Sequence, residues 1–368
     1  MSRRIARAVA FASLASLGAL ACGAPHSPPP AGAADPASVA PPPQDQGFQL
    51  KTPATSVPPA TEEQDCYFFR VRDLATAAGF PADQPSYLHR IQIAQRPGSH
   101  HVDIFRVRTI VGLDPANGLA QTGRDGEGEC YKSSNWSDWP LVANTQQNGE
   151  LDWTYPDGIA NELLPDEWLM VQTHYINPSA NPIADTGPVL ANFFTIPKEQ
   201  VTAFLGTLFA AQQSVRVCAS NKTPQFEGTC SFGGAAPVTI IGANGHFHSR
   251  GRRFDMFTWD GVAPDPPAAS TRFYDSTSWD TPPMRMSPDL SAPVPTGGGI
   301  RYACAYEWMP PADSAGGCAA LDAYDQATYG TPPSALDCCY TFGPFVEKNE
   351  HCNAFVYYYP RQDGVVCQ

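Results

Sequence analysis

The chain has 368 residues, of which 36 are acidic and 23 are lysine or arginine, so its formal net charge is −13. An acidic chain without a basic run is a poor candidate for binding nucleic acid or an anionic membrane surface, because both partners are negatively charged. We therefore expect no nucleic-acid partner.

Residues 1–22 have the pattern of a bacterial export signal. Arg3, Arg4 and Arg7 precede an apolar stretch that is too short to span a bilayer comfortably. Small residues then lead to Cys22, as at a lipoprotein processing site, so a lipid on Cys22 is the expected membrane anchor; the arginine pair leaves a twin-arginine signal as the alternative. Cleavage would move the net charge to about −16. We predict an exported protein, either a lipoprotein of the bacterial cell envelope, periplasmic or in the outer membrane, or a secreted protein.

Residues 23–62 are rich in Pro, Ala, Ser and Gln and show no apolar periodicity. Such a segment cannot bury enough apolar surface to fold. We predict a disordered tether over 23–62, between the leader and the globular part.

Short aromatic and β-branched runs, separated by Gly, Pro, Asn and Asp, dominate from residue 63 onward. Runs of this kind predict antiparallel strands, and helical periodicity is nearly absent. Residues 198–213 are the exception, predicted as a short helix or an irregular connection. About 300 residues of short strands indicate an all-β protein of two β-sandwich domains, over 63–195 and 196–368.

Ten cysteines follow Cys22, and an even number in an exported chain favours disulfides over thiolate metal ligands. They are Cys66, Cys130, Cys218, Cys230, Cys304, Cys318, Cys338, Cys339, Cys352 and Cys367. The histidines are then the main ligands available to a metal ion.

The His246-Phe247-His248 motif is one candidate ligand group. Side chains alternate along a strand, so His246 and His248 point to one face, which is the arrangement that two imidazoles need to bind one ion. A pair of surface histidines without a ligand is the alternative.

The adjacent His100 and His101 should point to opposite faces of a regular strand. Joint ligation therefore requires a bulge or different ring nitrogens from the two residues, and the preceding Pro97-Gly98 favours a local irregularity. His174 lies on a strand-like run, where a lone histidine is more often a core residue, so only the combination indicates a metal site. Three imidazoles suit copper, zinc, nickel or iron.

Taken in chain order, these motifs resemble one family. His-His at 100–101, His-Tyr-x-Asn-Pro at 174–178, His-x-His at 246–248 and a C-terminal strand ending in Tyr-Tyr-Pro are similar to the copper type II, ascorbate-dependent monooxygenases, the family of dopamine β-monooxygenase and peptidylglycine α-hydroxylating monooxygenase. The similarity covers about residues 63–368. It implies two jelly-roll-like antiparallel β-sandwich domains whose two copper ions face each other across a solvent-filled cleft.

The resemblance also implies two sets of copper ligands. His100, His101 and His174 match the family's electron-transfer copper site. His246 and His248 match two ligands of its oxygen-binding copper site.

The third ligand of the oxygen-binding site departs from the family. The family has a methionine in an Asp-Glu-Met-Cys motif, whereas this chain has Asn349-Glu350-His351-Cys352, so His351 takes the place of the thioether. A soft thioether favours Cu(I), and imidazole also serves Cu(II) and zinc well. The other methionines considered as thioether ligands are Met284, Met286 and Met309.

Three further positions bear on the substrate by resemblance. Asn244 stands where the peptide-specific branch has an arginine, Phe355 stands where it has a tyrosine, and Asn353 is kept. A peptide with a carboxyl-terminal glycine is therefore not the expected substrate.

The family pattern implies three disulfides: Cys66 with Cys130, Cys304 with Cys352, and Cys230 with Cys367. It leaves the pairing of the other four cysteines open, and the adjacent Cys338 and Cys339 could each close a different loop.

The expected function is a copper-dependent monooxygenase with two copper ions, which hydroxylates a C–H bond of a small or aromatic molecule with dioxygen and an ascorbate-like reductant. A non-catalytic copper-binding lipoprotein of the cell envelope is the second hypothesis. A three-histidine zinc site that acts in hydrolysis is the third.

Overall fold

The computed structural model describes residues 39–96, 98–108, 120–124, 139–146, 150–262, 269–312 and 316–367. Within these ranges the chain consists mainly of short strands in antiparallel sheets, so the predicted all-β class is confirmed. The described residues all belong to one compact unit. The predicted leader over 1–22 lies outside them.

Within the described ranges, the first part of the chain forms ten strands and one short helix. They are β1 (Gly47–Lys51), β2 (Thr61–Arg70), α1 (Val71–Ala77), β3 (Ser86–Ala94), β4 (Ser99–Arg106), β5 (Ala120–Arg124), β6 (Leu141–Thr145), β7 (Glu150–Thr154), β8 (Ile159–Leu163), β9 (Trp168–Asn177) and β10 (Leu190–Thr195).

The second part forms fourteen strands and one longer helix within the described ranges. They are β11 (Ala203–Phe204), β12 (Gly206–Ala211), β13 (Arg216–Val217), β14 (Gln225–Ser231), β15 (Val238–His246), β16 (Gly251–Trp259), β17 (Arg272–Ser276), β18 (Arg285–Met286), β19 (Ala292–Val294), β20 (Gly299–Tyr306), α2 (Gly317–Tyr329), β21 (Tyr340–Phe342), β22 (Asn349–Glu350), β23 (Asn353–Tyr359) and β24 (Val366–Cys367).

The sheets follow the two parts of the chain with one exception, since β11 of the second part pairs with β8 of the first. In the first part, one sheet has the order β5-β2-β9-β4-β6 and another has the order β1-β10-β3-β8-β11, with β7 beside β3. In the second part, the larger sheets have the orders β12-β23-β15-β18 and β17-β16-β20-β14-β24. β4 and β9 lie side by side in the first part, and β15 and β23 do so in the second. The predicted ligands lie in these two strand pairs or within two residues of their ends.

Two large hydrophobic cores lie between these sheets. The first core is built mainly by the first part of the chain and also contains residues of the second part. Ile241, Phe355 and Tyr357 of the second part pack into the core built mainly by residues 48–205. The Tyr357 hydroxyl donates to Asn144 Oδ1 at 2.7 Å and accepts from the Asn144 N–H at 2.9 Å. The two parts are thus joined by buried packing and hydrogen bonds.

The predicted tether is too long. Gly47–Lys51 form β1, which pairs with β10, and Phe48, Leu50 and Val57 are buried. Phe48 and Leu50 are two residues apart, so both point to the core face of an edge strand. Residues 23–38 lie outside the described residues.

The helix proposed for 198–213 is wrong, and a real helix was missed. Residues 198–213 hold a short 3₁₀ turn at Lys198–Gln200 followed by β11 and β12. The missed helix, α2, is rich in alanine, a strong helix former, and ends at Gly330 in the left-handed region at φ 68°.

Four disulfides lie within the described residues. Cys304–Cys352 and Cys230–Cys367 confirm the predicted pairs, and Cys218–Cys339 and Cys318–Cys338 use the adjacent cysteines to close two different loops. Cys66 is also disulfide-bonded, and its predicted partner, Cys130, lies outside the described residues. So many disulfides indicate an oxidising, exported location.

Among the described helices, none combines the length and the apolar character needed to cross a membrane.

Candidate metal centre

A bulge in β4 brings three histidines to one side of the first sheet. Ser99 pairs with Tyr175 and His101 pairs with His174, so β4 has one extra residue, His100, opposite β9. The ring centroids of His100 and His101 lie 5.2 Å apart, and those of His101 and His174 lie 5.0 Å apart. This bulge at His100 is the local irregularity that joint ligation by His100 and His101 was expected to need.

The second group of histidines lies at the ends of β15 and β23. His246 is the last residue of β15, where it pairs with Asn353, the first residue of β23. His248 lies in the turn that follows β15, and the His248 carbonyl accepts from the Gly251 N–H at 2.9 Å. His351 lies between β22 and β23, and its ring centroid is 4.3 Å from that of His248 and 5.2 Å from that of His246.

The two groups form one cluster, and the expected solvent-filled cleft between them is wrong. The His100 centroid lies 5.1 Å from that of His246 and 6.1 Å from that of His248, and His101 lies 5.3 Å from His246. The rings can touch because the two parts of the chain share a core and pack directly against each other. We call this group the six-histidine cluster; its members are His100, His101, His174, His246, His248 and His351.

The whole cluster is buried, and no member is more than 7% exposed. Burial lowers the pKa of His351 to about 3, and it holds the pKa of four others well below the ordinary value; neighbouring imidazoles add to the effect. These four are His100, His101, His246 and His248. At neutral pH these five side chains are therefore neutral, which is the state that binds metal ions.

Several imidazole nitrogens are available to bind a metal ion, because they have no hydrogen-bond partner within the described structure. The buried atoms without a hydrogen-bond partner include His100 Nε2, His248 Nε2, His351 Nδ1 and both ring nitrogens of His246. One nitrogen each from His100, His246 and His248 lies within 4.8 Å of the other two. Two nitrogens on one ion are at most about 4.2 Å apart, so a small inward shift would complete a three-histidine site. This set takes members from both predicted triads.

His101 and His174 offer a second pair of ligand atoms. His101 Nε2 and His174 Nδ1 are 3.2 Å apart. At bond lengths of about 2.0–2.1 Å, that separation corresponds to an angle of about 100° at a shared ion. His101 Nδ1 lies 3.4 Å from Asp103 Oδ2, so a carboxyl group stands behind this imidazole, as is common for metal ligands.

One buried acid, a tyrosine hydroxyl and a disulfide hold the segment around His351 in place. The Glu350 carboxyl accepts from the backbone N–H groups of His248 at 3.0 Å and Arg250 at 2.9 Å, and burial raises its pKa to about 7. The Tyr306 hydroxyl donates to the His351 carbonyl, and the next residue, Cys352, is bonded to Cys304. His351 is thus held on both sides.

The predicted substrate residues are all buried. Phe355 stacks on Phe209 with centroids 4.9 Å apart and belongs to the first core. Asn244 donates to the Pro283 carbonyl at 3.1 Å. Asn353 pairs with His246, and its buried Oδ1 has no hydrogen-bond partner within the described residues, so it is the one of the three that the fold places beside the cluster.

The methionines considered as thioether ligands lie elsewhere. Met284 and Met286 pack against the first core, and Met309 is 39% exposed, with its sulfur 3.4 Å from an Arg252 nitrogen.

Sequence reasoning missed three neighbours of the cluster. Trp279 lies 6.0 Å from His100 and Phe342 lies 4.8 Å from His351, measured between ring centroids. Glu62 Oε2 lies 3.1 Å from His174 Nε2, within hydrogen-bond distance. No local motif marks any of the three: β2 begins with the polar run Thr-Glu-Glu-Gln-Asp over residues 61–65, which has no apolar alternation that would place Glu62 on a strand.

Replacing His100 with alanine should weaken the binding of a metal ion at this site by at least about 100-fold. The loss of one of three ligands should exceed the 10–100-fold cost of losing an outer partner. Titration against a competing chelator measures it. His89→Ala is the matched control, because His89 Nδ1 lies 2.8 Å from the Ile159 carbonyl, outside the cluster. Unchanged affinity in the His100 variant would remove His100 from the site.

No protein-family model matches this chain, and no curated protein matches it either. Among solved structures, the PBSX exported protein XepA is similar at a TM-score of 0.19 and 8% identity, over 74% of this chain and 88% of that chain. The tandem CBM22-1-CBM22-2 domain of Xyn10C from Paenibacillus barcinonensis follows at 0.18 and 10%, over 85% and 83%. The VP2 subviral particle of infectious bursal disease virus follows at 0.13 and 10%, over 90% and 81%. At such TM-scores these likenesses carry no argument about fold or function.

Proposed function

We propose that this protein is an exported copper-dependent monooxygenase that hydroxylates a C–H bond of a small or aromatic molecule, with dioxygen and an ascorbate-like reductant. The observation that carries the copper part is the six-histidine cluster, which is buried and has several ring nitrogens without a hydrogen-bond partner among the described residues, one nitrogen each from His100, His246 and His248 lying within 4.8 Å of the other two. The ordered histidine motifs supply the oxygenase part through their resemblance to the copper type II monooxygenases. A lipid on Cys22 is the proposed anchor to the cell envelope.

In this proposal the chain supplies ligands, orientation and exclusion of water. His100, His246 and His248 would hold one copper ion, and His101 with His174 would hold the other. His351 lies against His246 and His248 and would complete either set. Copper, when bound, supplies one-electron chemistry and activation of dioxygen.

A second candidate function is a copper-binding protein without catalysis. One observation favours it: the donors at the cluster are all imidazoles, so the contrast between a thioether site and an imidazole site that the family uses is missing. Storage or transfer of copper would need only binding and release.

Metal analysis and oxygen uptake distinguish these functions. We expect the purified protein to bind two copper ions and to consume dioxygen when ascorbate and a panel of small aromatic substrates are supplied. Two copper ions without substrate-dependent uptake would support the binding protein instead, and zinc at full occupancy without copper would support the hydrolytic alternative. His89→Ala serves as the control for nonspecific copper at a histidine outside the cluster.

His351→Met adds a test of position. If His351 stands at the oxygen-binding site, this substitution should preserve folding and raise the reactivity of the reduced protein towards dioxygen. Unchanged reactivity with both ions still bound would count against that assignment.

A further inference from the structure

One carboxylate links the two groups of histidines. Glu62, at the start of β2, has Oε2 3.1 Å from His174 Nε2. The same oxygen accepts from the Val346 N–H at 3.0 Å, and Oε1 accepts from the Glu347 N–H at 3.2 Å. The Glu62 side chain is 10% exposed. We propose that Glu62 is a positioning residue that orients His174 and at the same time fixes the turn that leads to His351; the proposal rests on metal binding at the six-histidine cluster.

The contact with His174 selects the ligand atom. The two backbone amides can only donate, so the Glu62 oxygens act as acceptors and His174 Nε2 carries the hydrogen. His174 Nδ1 is then free of hydrogen and is the atom left for a metal ion. That atom is the one that lies 3.2 Å from His101 Nε2.

The contact with the turn reaches the second group of histidines. Arg250 donates to the carbonyls of Val346 and Glu347 at 2.5 and 2.8 Å, so the peptides of these two residues are held by Glu62 on their N–H side and by Arg250 on their carbonyl side. The Arg250 N–H is in turn bound by Glu350, next to His351. A continuous set of hydrogen bonds therefore runs from His174 to the residue before His351.

A neighbouring residue supplies the matched control. Gln64, two positions along β2, donates to the Pro344 carbonyl at 3.0 Å. It ties the same strand to the same turn, and it pairs with His174 in the β2–β9 ladder, so it controls for a change close to His174 that leaves the Glu62 carboxylate in place. Gln64→Ala thus loosens the turn without changing the acceptor on His174.

Glu62→Gln keeps the shape of the side chain and replaces one acceptor oxygen by an NH₂ donor. Either His174 or a backbone amide then faces a donor instead of an acceptor. We expect copper affinity to fall 10- to 100-fold in Glu62→Gln, with an altered Cu(II) paramagnetic resonance spectrum, and to change less than about threefold in Gln64→Ala. Thermal unfolding of the metal-free variants shows whether both still fold.

Hydrogen exchange tests the second contact without metal. In the metal-free protein, the Val346 and Glu347 amides should exchange faster in Glu62→Gln than in wild type. Wild-type affinity, spectrum and exchange in Glu62→Gln would overturn the proposal, as would an equal loss of copper affinity in both variants. If wild type binds no copper, the proposed function fails, and the exchange of these two amides still decides whether Glu62 fixes the turn.

Discussion

Between pH 6 and pH 5, the metal-free protein should lose about 4 kcal/mol of stability. Burial holds the pKa of five imidazoles below its ordinary value in the folded chain, whereas unfolding lets them take up protons. The unfolded state therefore binds more protons below about pH 6.5, and acid favours unfolding.

Two buried acids act in the opposite direction in this interval. Burial raises the pKa of Asp103 to about 8 and that of Glu350 to about 7, so both stay protonated in the folded chain at pH values where the unfolded chain has released these protons. Each acid releases about one proton on unfolding and so offsets the proton taken up by one histidine. The unfolded state therefore binds three protons more than the folded state, which gives the slope of about 4 kcal/mol per pH unit. Above pH 6.5 the proton uptake of the unfolded histidines fades, and the two acids lower the free energy of unfolding as pH rises towards 8. The maximum should lie near pH 6.5–7.

Urea unfolding of the chelator-treated protein at pH 7, 6 and 5 measures this slope. His351→Gln should lower the proton difference between the two states by one and the slope by about 1.4 kcal/mol per pH unit, because the imidazole with a pKa of about 3 is gone. Stability that does not change from pH 7 to pH 5 would mean that the imidazoles are already solvated in the folded protein.

Removing the Cys304–Cys352 disulfide should cost about 4 kcal/mol of stability and also weaken copper binding. The bond closes a loop of 48 residues, for which the restriction of the unfolded chain gives that magnitude. Cys352 directly follows His351, so its release also frees one ligand. The measurement is urea unfolding of Cys304→Ala/Cys352→Ala, with copper titration on the same protein.

Cys230→Ala/Cys367→Ala is the control for this prediction. That disulfide spans 137 residues and joins β14 to β24, so its loss should cost about 5 kcal/mol while copper affinity stays unchanged. Equal copper loss in both double variants would show that the metal responds to global stability and not to the strand beside His351.

The sequence was informative where chemistry is local. Short aromatic and β-branched runs predicted the strands, and joint ligation by the adjacent His100 and His101 required a bulge or different ring nitrogens, of which the structure shows the bulge. The resemblance correctly paired Cys304 with Cys352. The His-x-His spacing placed His246 and His248 together, and their ring centroids lie 5.2 Å apart, although β15 ends at His246 and His248 lies in the turn that follows.

The misses share a physical origin in contacts between distant parts of the chain. Contact between the two predicted triads depends on how the two parts of the chain pack, which no local pattern encodes. Glu62 fell at the end of the segment predicted as a tether, because Pro and Ala dominate the composition before it. Its partners, Val346 and Glu347, are more than 280 positions away.

The bulge at His100 also determines which changes in chain length this site tolerates. The one residue between Ser99 and His101 is His100 itself, so deleting it would restore a regular register and remove one imidazole, and inserting a further residue would move the side chains that follow to the opposite face of the sheet. A substitution at Pro97 or Gly98 leaves the residue count intact. Over evolution, then, insertions and deletions in this stretch should be selected against more strongly than exchanges of one amino acid for another outside the histidines.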